Sequence, residues 1–369
     1  MAPPPEILTR IRREIGRRLE AERLAFVPPL IAAGLGGFVF HLLGLPAAWM
    51  SGATVVATAY TLARGSLVLP RSLRETAFLL LGVAIGASIT PEVLAGVRHW
   101  PLSIAALFLT VPLIVGTAAL FLTRVMGWRP EEAFLASVPG ALAFVIAVSE
   151  SYGLNVRKVA VSQSIRLFVM VVLIPVAIGS STAPVPVKVL ASADLATTFA
   201  VICLALSVSL VFWKLRVPAP FMMGGFALSG ILHGTRAVEA QLPQIVVILT
   251  LVVIGTNVGS RFSGTSPAEL RRILFASVGA FLIAFSVAAL SAYLVALAVG
   301  LAYPQVLLAF APGGLDAMTV LAYALGVEPA FVATHQILRF VGIAMVLPLV
   351  FGPVAALIGR PAAEDGDRA

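Results

Sequence analysis

The chain has 369 residues, of which 60% are hydrophobic and only 11% are charged, against about 25% charged residues in an average soluble protein. A water-soluble domain of this length cannot bury so much apolar surface, whereas a lipid bilayer is itself an apolar solvent. The net charge of +8 comes from basic residues in short gaps between apolar runs, a pattern that indicates membrane topology and argues against nucleic-acid binding.

The first 25 residues are basic and precede the first apolar run. Apolar residues Ile7, Leu8, Ile11, Ile15 and Leu19 fall on one helical face, which predicts a short interfacial helix, with a solvated tail as the alternative. A signal peptide begins in a similar way, but the run from Phe26 to Leu45 is long and no small-residue cleavage site with a polar continuation follows it. We therefore expect a retained first span with a cytoplasmic N-terminus.

Twelve apolar runs follow one another along the chain. In order they are 26–44, 46–63, 76–90, 101–123, 132–149, 158–179, 195–213, 218–233, 243–259, 273–300, 304–325 and 330–357. A helix needs about 20 residues to cross the hydrocarbon core, so the shorter runs that contain Gly or Pro suggest broken or re-entrant helices. These runs predict an all-α, polytopic membrane protein with 9–12 membrane segments.

The strongest organising feature is an internal repeat. The block Val138-Pro139-Gly140-Ala141-Leu142 recurs as Ala311-Pro312-Gly313-Gly314-Leu315, and Gln163 and Arg166 match Gln336 and Arg339 at the same offset of 173 (312 minus 139). Chance similarity between apolar segments would not keep polar residues in register. The chain therefore divides into a basic segment 1–25, repeat one at 26–180, a linker at 181–194, repeat two at 195–357 and a charged tail at 358–369.

The orientation of the two repeats depends on the number of crossings in each. Six crossings per repeat would make them parallel, and five with one re-entrant run would make them inverted. Arg64, Arg71 and Arg74 follow the second run of repeat one, whereas Arg261, Arg271 and Arg272 follow the third run of repeat two. Because basic residues favour the cytoplasmic side, this change of loop favours an inverted pair of repeats with five to six segments each.

The candidate site consists of ionisable residues and helix breaks inside the apolar runs. Gln163 lies three residues before Arg166, and Gln336 three before Arg339, so each pair shares a helix face. The breaks and the acidic residue that follows the second break complete the set: Pro139, Gly140, Pro312, Gly313, Gly314 and Asp316. Buried arginines near helix N-termini predict an anion-binding centre, with Asp316 as a coupling group or as a counter-ion of Arg339. The structural alternative is that the Gln/Arg pairs tie the two repeats together by hydrogen bonds.

The repeated block PG-x-L, a later Gly, and V-A-x-x-Q-x-x-R resembles the AbrB family of bacterial membrane proteins, in which it occurs once in each half. The resemblance covers roughly residues 30–351. Repeat one departs from it, since Ala141 replaces the second Gly and Ala143 stands where repeat two has Asp316. Members carry labels such as ammonia monooxygenase or regulator of gene expression. The resemblance implies a multi-pass protein of the bacterial inner membrane.

Three functions are open at this stage. A secondary transporter of a small solute, with an anion as one candidate, agrees with the repeats and helix breaks. A membrane sensor or regulator that affects gene expression indirectly is the alternative. A membrane monooxygenase is the weakest, because the four His residues are scattered and no metal-ligand spacing occurs. We therefore expect no catalytic residues, no metal, no cofactor and no nucleic acid. The bilayer and a small solute are the expected partners, and a homo-oligomer is left open.

Overall fold

The computed structural model describes residues 25–358 apart from 46, 88, 90–99, 140–144, 146–147, 150–151, 180–194, 216, 218 and 239–241. The regular structure of these residues is helical throughout, which confirms the all-α prediction. The expected interfacial helix before residue 25, the linker and the tail beyond residue 358 lie outside the described residues, as do Gly140 and Ala143.

Repeat one contributes six helices to the described residues. They are α1 (Val27–Leu42), α2 (Ala48–Arg64), α3 (Arg71–Gly86), α4 (Trp100–Arg124), α5 (Pro130–Ser137) and α6 (Val156–Gly179). Proline begins α5, where its missing N–H costs no hydrogen bond, and Gly65 ends α2 in the left-handed conformation.

Within its described residues, repeat two contributes seven α-helices and one short 3-10 turn at Ser260–Phe262. The helices are α7 (Leu195–Lys214), α8 (Pro220–Gly234), α9 (Gln244–Gly259), α10 (Pro267–Val299), α11 (Tyr303–Phe310), α12 (Leu315–Ala324) and α13 (Pro329–Ile358). The order of long and short helices follows that of repeat one, with α11 in the place of α5 and α13 in the place of α6.

Five of the described helices are long and apolar enough to cross a membrane. They span Trp100–Arg124, Val156–Val176, Ala196–Lys214, Gln244–Phe262 and Pro267–Val299. Large apolar side chains cover their outer surfaces; Leu109 is 74% exposed, Phe199 70% and Phe275 76%. Such surface is unfavourable in water and favourable in hydrocarbon, so the fold is that of a polytopic membrane protein.

The helices of one repeat pack against those of the other through small residues. Gly255 of α9 lies against the Met50 carbonyl of α2, and Gly259 lies against Ala57 and Thr58 one to two turns further along. The two helices therefore run in the same direction at close range. Backbone approach through glycine is the usual way in which helices associate in a bilayer, where no hydrophobic effect drives them together.

The two ends of the bundle can be defined from the contacts between loops. The Gly264 N–H donates to the Gly65 carbonyl at 2.8 Å, and Arg157 donates to the Gly264 carbonyl. These bonds bring together the last turns of α2 and α9 and the first turns of α6 and α10. We call this end of the bundle end A. Trp128, which follows α4, lies beneath the Lys158 ammonium at 4.1 Å, so α4 also ends at end A.

The opposite end, end B, holds the start of α4 and the start of α13. The Trp100 ring packs edge-on against Phe331 at 5.3 Å, and the Ser103 hydroxyl lies 2.8 Å from His335 Nε2. Because α4 ends at end A, these contacts place the beginning of α13 at end B.

The short helices α5 and α11 each begin a segment that leaves one end of the bundle and comes back to the same end before the next long helix, and we call each of these segments a hairpin. Glu132 at the start of α5 pairs with Lys158 at the start of α6, at 2.8 Å, and the two helices run in parallel from end A. The chain therefore returns to end A between Pro139 and the start of α6. In repeat two, α11 runs beside α13 from end B and the chain turns at Pro312. Runs 132–149 and 304–325 therefore do not cross from one end of the bundle to the other.

Candidate functional site

The first hairpin tip is capped by the Gln/Arg pair of α6. The Gln163 amide donates to the Leu135 carbonyl at 2.9 Å. The Arg166 guanidinium donates to the carbonyls of Ala136, Ser137 and Val138 at 3.1, 3.3 and 3.1 Å. These are the last carbonyls of α5, which have no partner within the helix because the chain breaks at Pro139.

The second tip is built in the same way. Gln336 of α13 donates to the carbonyls of Leu308 and Ala309 at 2.9 and 3.2 Å. Arg339 donates to the Ala311 carbonyl at 2.6 Å, to the Gly313 carbonyl and to the Gln336 side-chain oxygen. Gln163 and Gln336 each contact a carbonyl 28 residues upstream, as do Arg166 and Arg339. The local geometry therefore repeats along with the sequence.

The sequence left open the alternative that the Gln/Arg pairs tie the two repeats together by hydrogen bonds, and the contacts of the described residues revise it. Each Gln/Arg pair ties the hairpin to the following helix within its own repeat, and the bonds do not run from one repeat to the other. The guanidinium groups sit at the C-terminal ends of α5 and α11. A cation is favoured there because the helix dipole leaves a partial negative charge.

Both guanidinium groups are buried and carry positive charge that no carboxylate neutralises among the described residues. Arg166 is 8% exposed and Arg339 is 3% exposed. The ion pairs in the described part of the chain join Arg71 to Glu75, Arg129 to Glu131, Arg157 to Glu269 and Lys158 to Glu132. Val138, whose carbonyl accepts from Arg166, lines the same cavity as Arg339, so the two guanidinium groups lie in one region of the protein. The two hairpin tips therefore create one region of positive potential inside the protein.

The other predicted residues of the second break surround the turn. The Gly313 N–H donates to the Ala311 carbonyl at 2.7 Å, and Gly314 precedes the first turn of α12. Asp316 lies in that first turn, but its side chain is outside the described part of the structure. Pro139 ends the described portion of the first tip. In repeat two a helix therefore begins directly after the break, at Leu315.

A cavity of about 320 Å³ lies beside the tips, between α4, α5 and α13. Its lining includes Val138 at the first tip and Arg339 at the second, and the remaining lining residues are apolar. Sequence reasoning missed the α4 wall, which includes Phe108, Pro112 and Gly116. An apolar residue that faces a cavity and one that faces lipid have the same composition, so the sequence carried no signal for it.

The family model described as "Transition state regulatory protein AbrB" matches residues 49–354 of the chain. The chain belongs to the AbrB family. The protein "Uncharacterized protein YhjN" of Bacillus subtilis (strain 168) is 25% identical over 346 residues, which is 85% of this chain and 88% of that protein. The protein "Putative regulator AbrB" of Escherichia coli (strain K12) is 26% identical over 327 residues, which is 84% of this chain and 91% of that protein.

This AbrB-family protein also holds a matched pair of polar contacts between the repeats. Ser103 of α4 contacts His335 of α13, and Ser277 of α10 donates to Ser162 of α6 at 2.8 Å. His335 and Ser162 are related by the same offset of 173 residues (335 minus 162). All four side chains are buried. The long helices of the two repeats thus contact each other in equivalent pairs. Helix α4 of repeat one contacts α13 of repeat two, and α10 of repeat two contacts α6 of repeat one.

Proposed function

We propose that this protein is a secondary transporter of a small anionic solute, with its solute site at the two hairpin tips. The observation that carries the proposal is the pair of buried guanidinium groups, Arg166 and Arg339, at broken helices from opposite ends of the bundle. Non-helical backbone at membrane depth is tolerated where it lines a cavity or is buried in protein. Transporters use such breaks at the interface of two repeats to bind their substrates.

An inverted arrangement of the repeats supports this proposal. The first hairpin enters from end A and the second enters from end B, while the crosswise contacts Ser103–His335 and Ser277–Ser162 relate the two repeats. We propose one hairpin and five crossings in each repeat, an odd number that gives repeat two the opposite orientation to repeat one. Inverted repeats provide two alternative conformations of similar energy, which is the basis of alternating access.

The chemistry of the tips suits an anion. The carbonyls of α5 and α11 already accept from the arginines, so the side chains described at the tips leave a net positive charge. The start of α12 adds the partial positive charge of a helix N-terminus beside the second tip. We propose that Asp316, in that first turn, couples transport to a proton or another cation. Repeat one has Ala143 at the matching position, so coupling belongs to repeat two.

The test is solute flux into proteoliposomes, with and without a pH gradient. We expect Arg339→Lys to retain the fold and to raise the KM for solute, because lysine keeps the charge but lacks the planar fork that caps α11. Arg71→Lys is the matched control, since Arg71 lies in an exposed pair with Glu75. A folded wild-type protein that moves no anion across a broad screen would refute the transporter.

A regulatory role is the second candidate, because the Escherichia coli relative is named a regulator. We propose that the protein resides in the bacterial inner membrane with its basic N-terminus in the cytoplasm, where residues 1–25 offer a contact for a signalling partner. Deleting residues 2–25 separates the two functions. A transporter keeps its flux after the deletion, whereas a sensor loses its effect on gene expression.

A further inference from the structure

Lysine and arginine side chains are concentrated at one end of the bundle. Outside the hairpin tips, every Lys and Arg in the described part of the chain lies at end A, except Arg236, which follows α8 at end B. Cytoplasmic loops of membrane proteins carry an excess of these residues, and the cytoplasmic leaflet carries a negative surface potential. The distribution therefore favours end A as the end that meets an anionic membrane surface.

Contacts between helices place the basic residues of the other repeat at the same end. The N–H of Leu67, just before α3, donates at 3.0 Å to the loop that follows α9, so α3 begins at end A. Gly82 and Gly86 approach α8 in the same order along both helices, so α3 and α8 run in the same direction. Lys214, which precedes α8, therefore lies at end A, and Arg236, which follows α8, lies at end B.

Two exposed arginines at end A continue the lipid-facing surfaces of α4 and α10. Arg124 lies one turn beyond Leu120, which is 58% exposed, and Arg271 lies one turn before Phe275, which is 76% exposed. Residues four apart share a helix face, so each guanidinium group stands above an apolar side chain that faces the bilayer. Arginines in this position reach the level of the lipid headgroups.

A third exposed arginine, Arg272, lies on the face of α10 that packs against α4. It precedes Gly279 by seven residues (279 minus 272), which is about two helical turns. A Cβ on Gly279 would come within 2.7 Å of the Phe121 ring of α4, and Phe121 is one turn before Arg124. Arg124, Arg271 and Arg272 therefore surround the end-A opening of the contact between α4 and α10, which we call the α4/α10 seam.

The positive charge of the α4/α10 seam is not neutralised by an ion pair among the described residues. Glu269, which is close to Arg272 in α10, pairs with Arg157 of α6 at 3.3 Å. A single exposed arginine is satisfied by water, but three cations beside apolar surface attract a phosphate group by charge and by hydrogen bonds.

We propose that the α4/α10 seam binds an anionic phospholipid, with its phosphate at Arg124, Arg271 and Arg272 and its acyl chains along the exposed apolar faces of α4 and α10. Basic pockets between transmembrane helices on the cytoplasmic side bind such headgroups. The inference concerns a lipid of the surrounding membrane and does not depend on the transport proposed above. A free phosphate ion shares the chemistry of the headgroup, and the experiment distinguishes the two.

The test is equilibrium binding of radiolabelled phosphatidylglycerol to the purified full chain in detergent. We expect saturable binding that unlabelled phosphatidylglycerol displaces. Phosphatidylcholine with the same acyl chains should displace it about tenfold more weakly or less, because its headgroup has no net charge. Binding should also weaken as the salt concentration rises, since the three arginines are exposed. Equal displacement by the two lipids would overturn the proposal.

Three variants assign the binding to the α4/α10 seam. The seam variant replaces Arg124, Arg271 and Arg272 with Gln, and should lose the preference for phosphatidylglycerol. The control variant replaces three other exposed basic residues of end A with Gln, on α3 and α7, and should keep the preference: Arg71, Arg74 and Lys214. A third variant has Lys at the three seam positions and should keep the preference, which shows that the loss with Gln reflects charge and not unfolding. An equal loss in the seam and control variants would overturn the site.

Inorganic phosphate separates the two sources of the anion. It should not displace the lipid at equal concentration, because it has no acyl chains to bury against α4 and α10. Displacement at equal concentration would assign the seam to free phosphate and overturn the lipid as its occupant. Binding is measured without flux, so a protein that binds the lipid and moves no solute refutes the transporter and leaves the lipid site standing.

Discussion

Gly82 of α3 and the Met222 carbonyl of α8 lie so close that a Cβ on Gly82 would come within 2.2 Å of the carbonyl oxygen. Gly86 and Gly225 make similar approaches one turn away, and the two helices belong to different repeats. The repeats are therefore joined at α3 and α8 by backbone packing that no larger residue permits, as they are at α2 and α9.

Gly82→Ala should destabilise the protein. The atom in the way is backbone, so the helices must separate, and overpacking of this kind costs about 1–3 kcal/mol. The measurement is thermal unfolding in detergent. Gly116→Ala is the control, since its new methyl group meets open space and should leave the melting temperature unchanged or slightly higher. Equal melting temperatures for the two variants would contradict the close packing.

Gln336→Leu should destabilise the second hairpin more than Gln163→Leu destabilises the first. Gln336 donates to two carbonyls and accepts from Arg339, whereas among the described residues the Gln163 amide donates to one carbonyl, that of Leu135. An orphaned buried polar group costs about 1–3 kcal/mol. Limited proteolysis and thermal unfolding measure the difference. Gln244→Leu, at an exposed position, should have little effect, and an effect as large as that of Gln336→Leu would count against the caps.

Glu328, in the turn between α12 and α13, predicts a pH dependence of stability. Burial raises the pKa of its carboxyl from 4.5 to about 7, and its Oε1 atom has no hydrogen-bond partner among the described residues. The folded state therefore disfavours ionisation of this carboxyl. Between about pH 4.5 and about pH 7 the unfolded chain releases the proton and the folded chain keeps it, so the free energy of unfolding falls as the pH rises through this range. Repeat one has Asn155 at this place, where its side-chain oxygen accepts from the Lys158 N–H at 3.0 Å.

Glu328→Gln should therefore flatten the fall in melting temperature between about pH 4.5 and pH 7. Glu75→Gln, which alters an exposed ion pair with Arg71, should keep the wild-type slope. A slope that survives in Glu328→Gln would assign the pH dependence to another group.

The orientation of the repeats can be measured with cysteine labelling. Tyr152 and Leu325 follow the two hairpins at positions related by the offset of 173 residues (325 minus 152). With Cys203 replaced by Ala, Tyr152→Cys and Leu325→Cys should react with an impermeant maleimide from opposite sides of the membrane. Reaction of both from the same side would show that the repeats are parallel.

The sequence by itself determined the helical membrane class, the two repeats, the helix breaks and the Gln/Arg pairs. These features are local or periodic: hydropathy sets a span, Pro and Gly interrupt it, and an ionisable residue in an apolar run must find a partner. The fixed offset of 173 residues between Arg166 and Arg339 was visible for the same reason.

Only the tertiary structure decided what those residues contact. The sequence could not show that Arg166 donates to Val138 and Arg339 to Ala311, because both bonds depend on how each short helix packs against the long helix that follows it. Nor could it separate Gly116 at a cavity from Leu109 at the lipid, since both lie on α4 among apolar residues. Composition records the preference for an apolar environment, and only packing determines whether that environment is lipid, protein or a cavity.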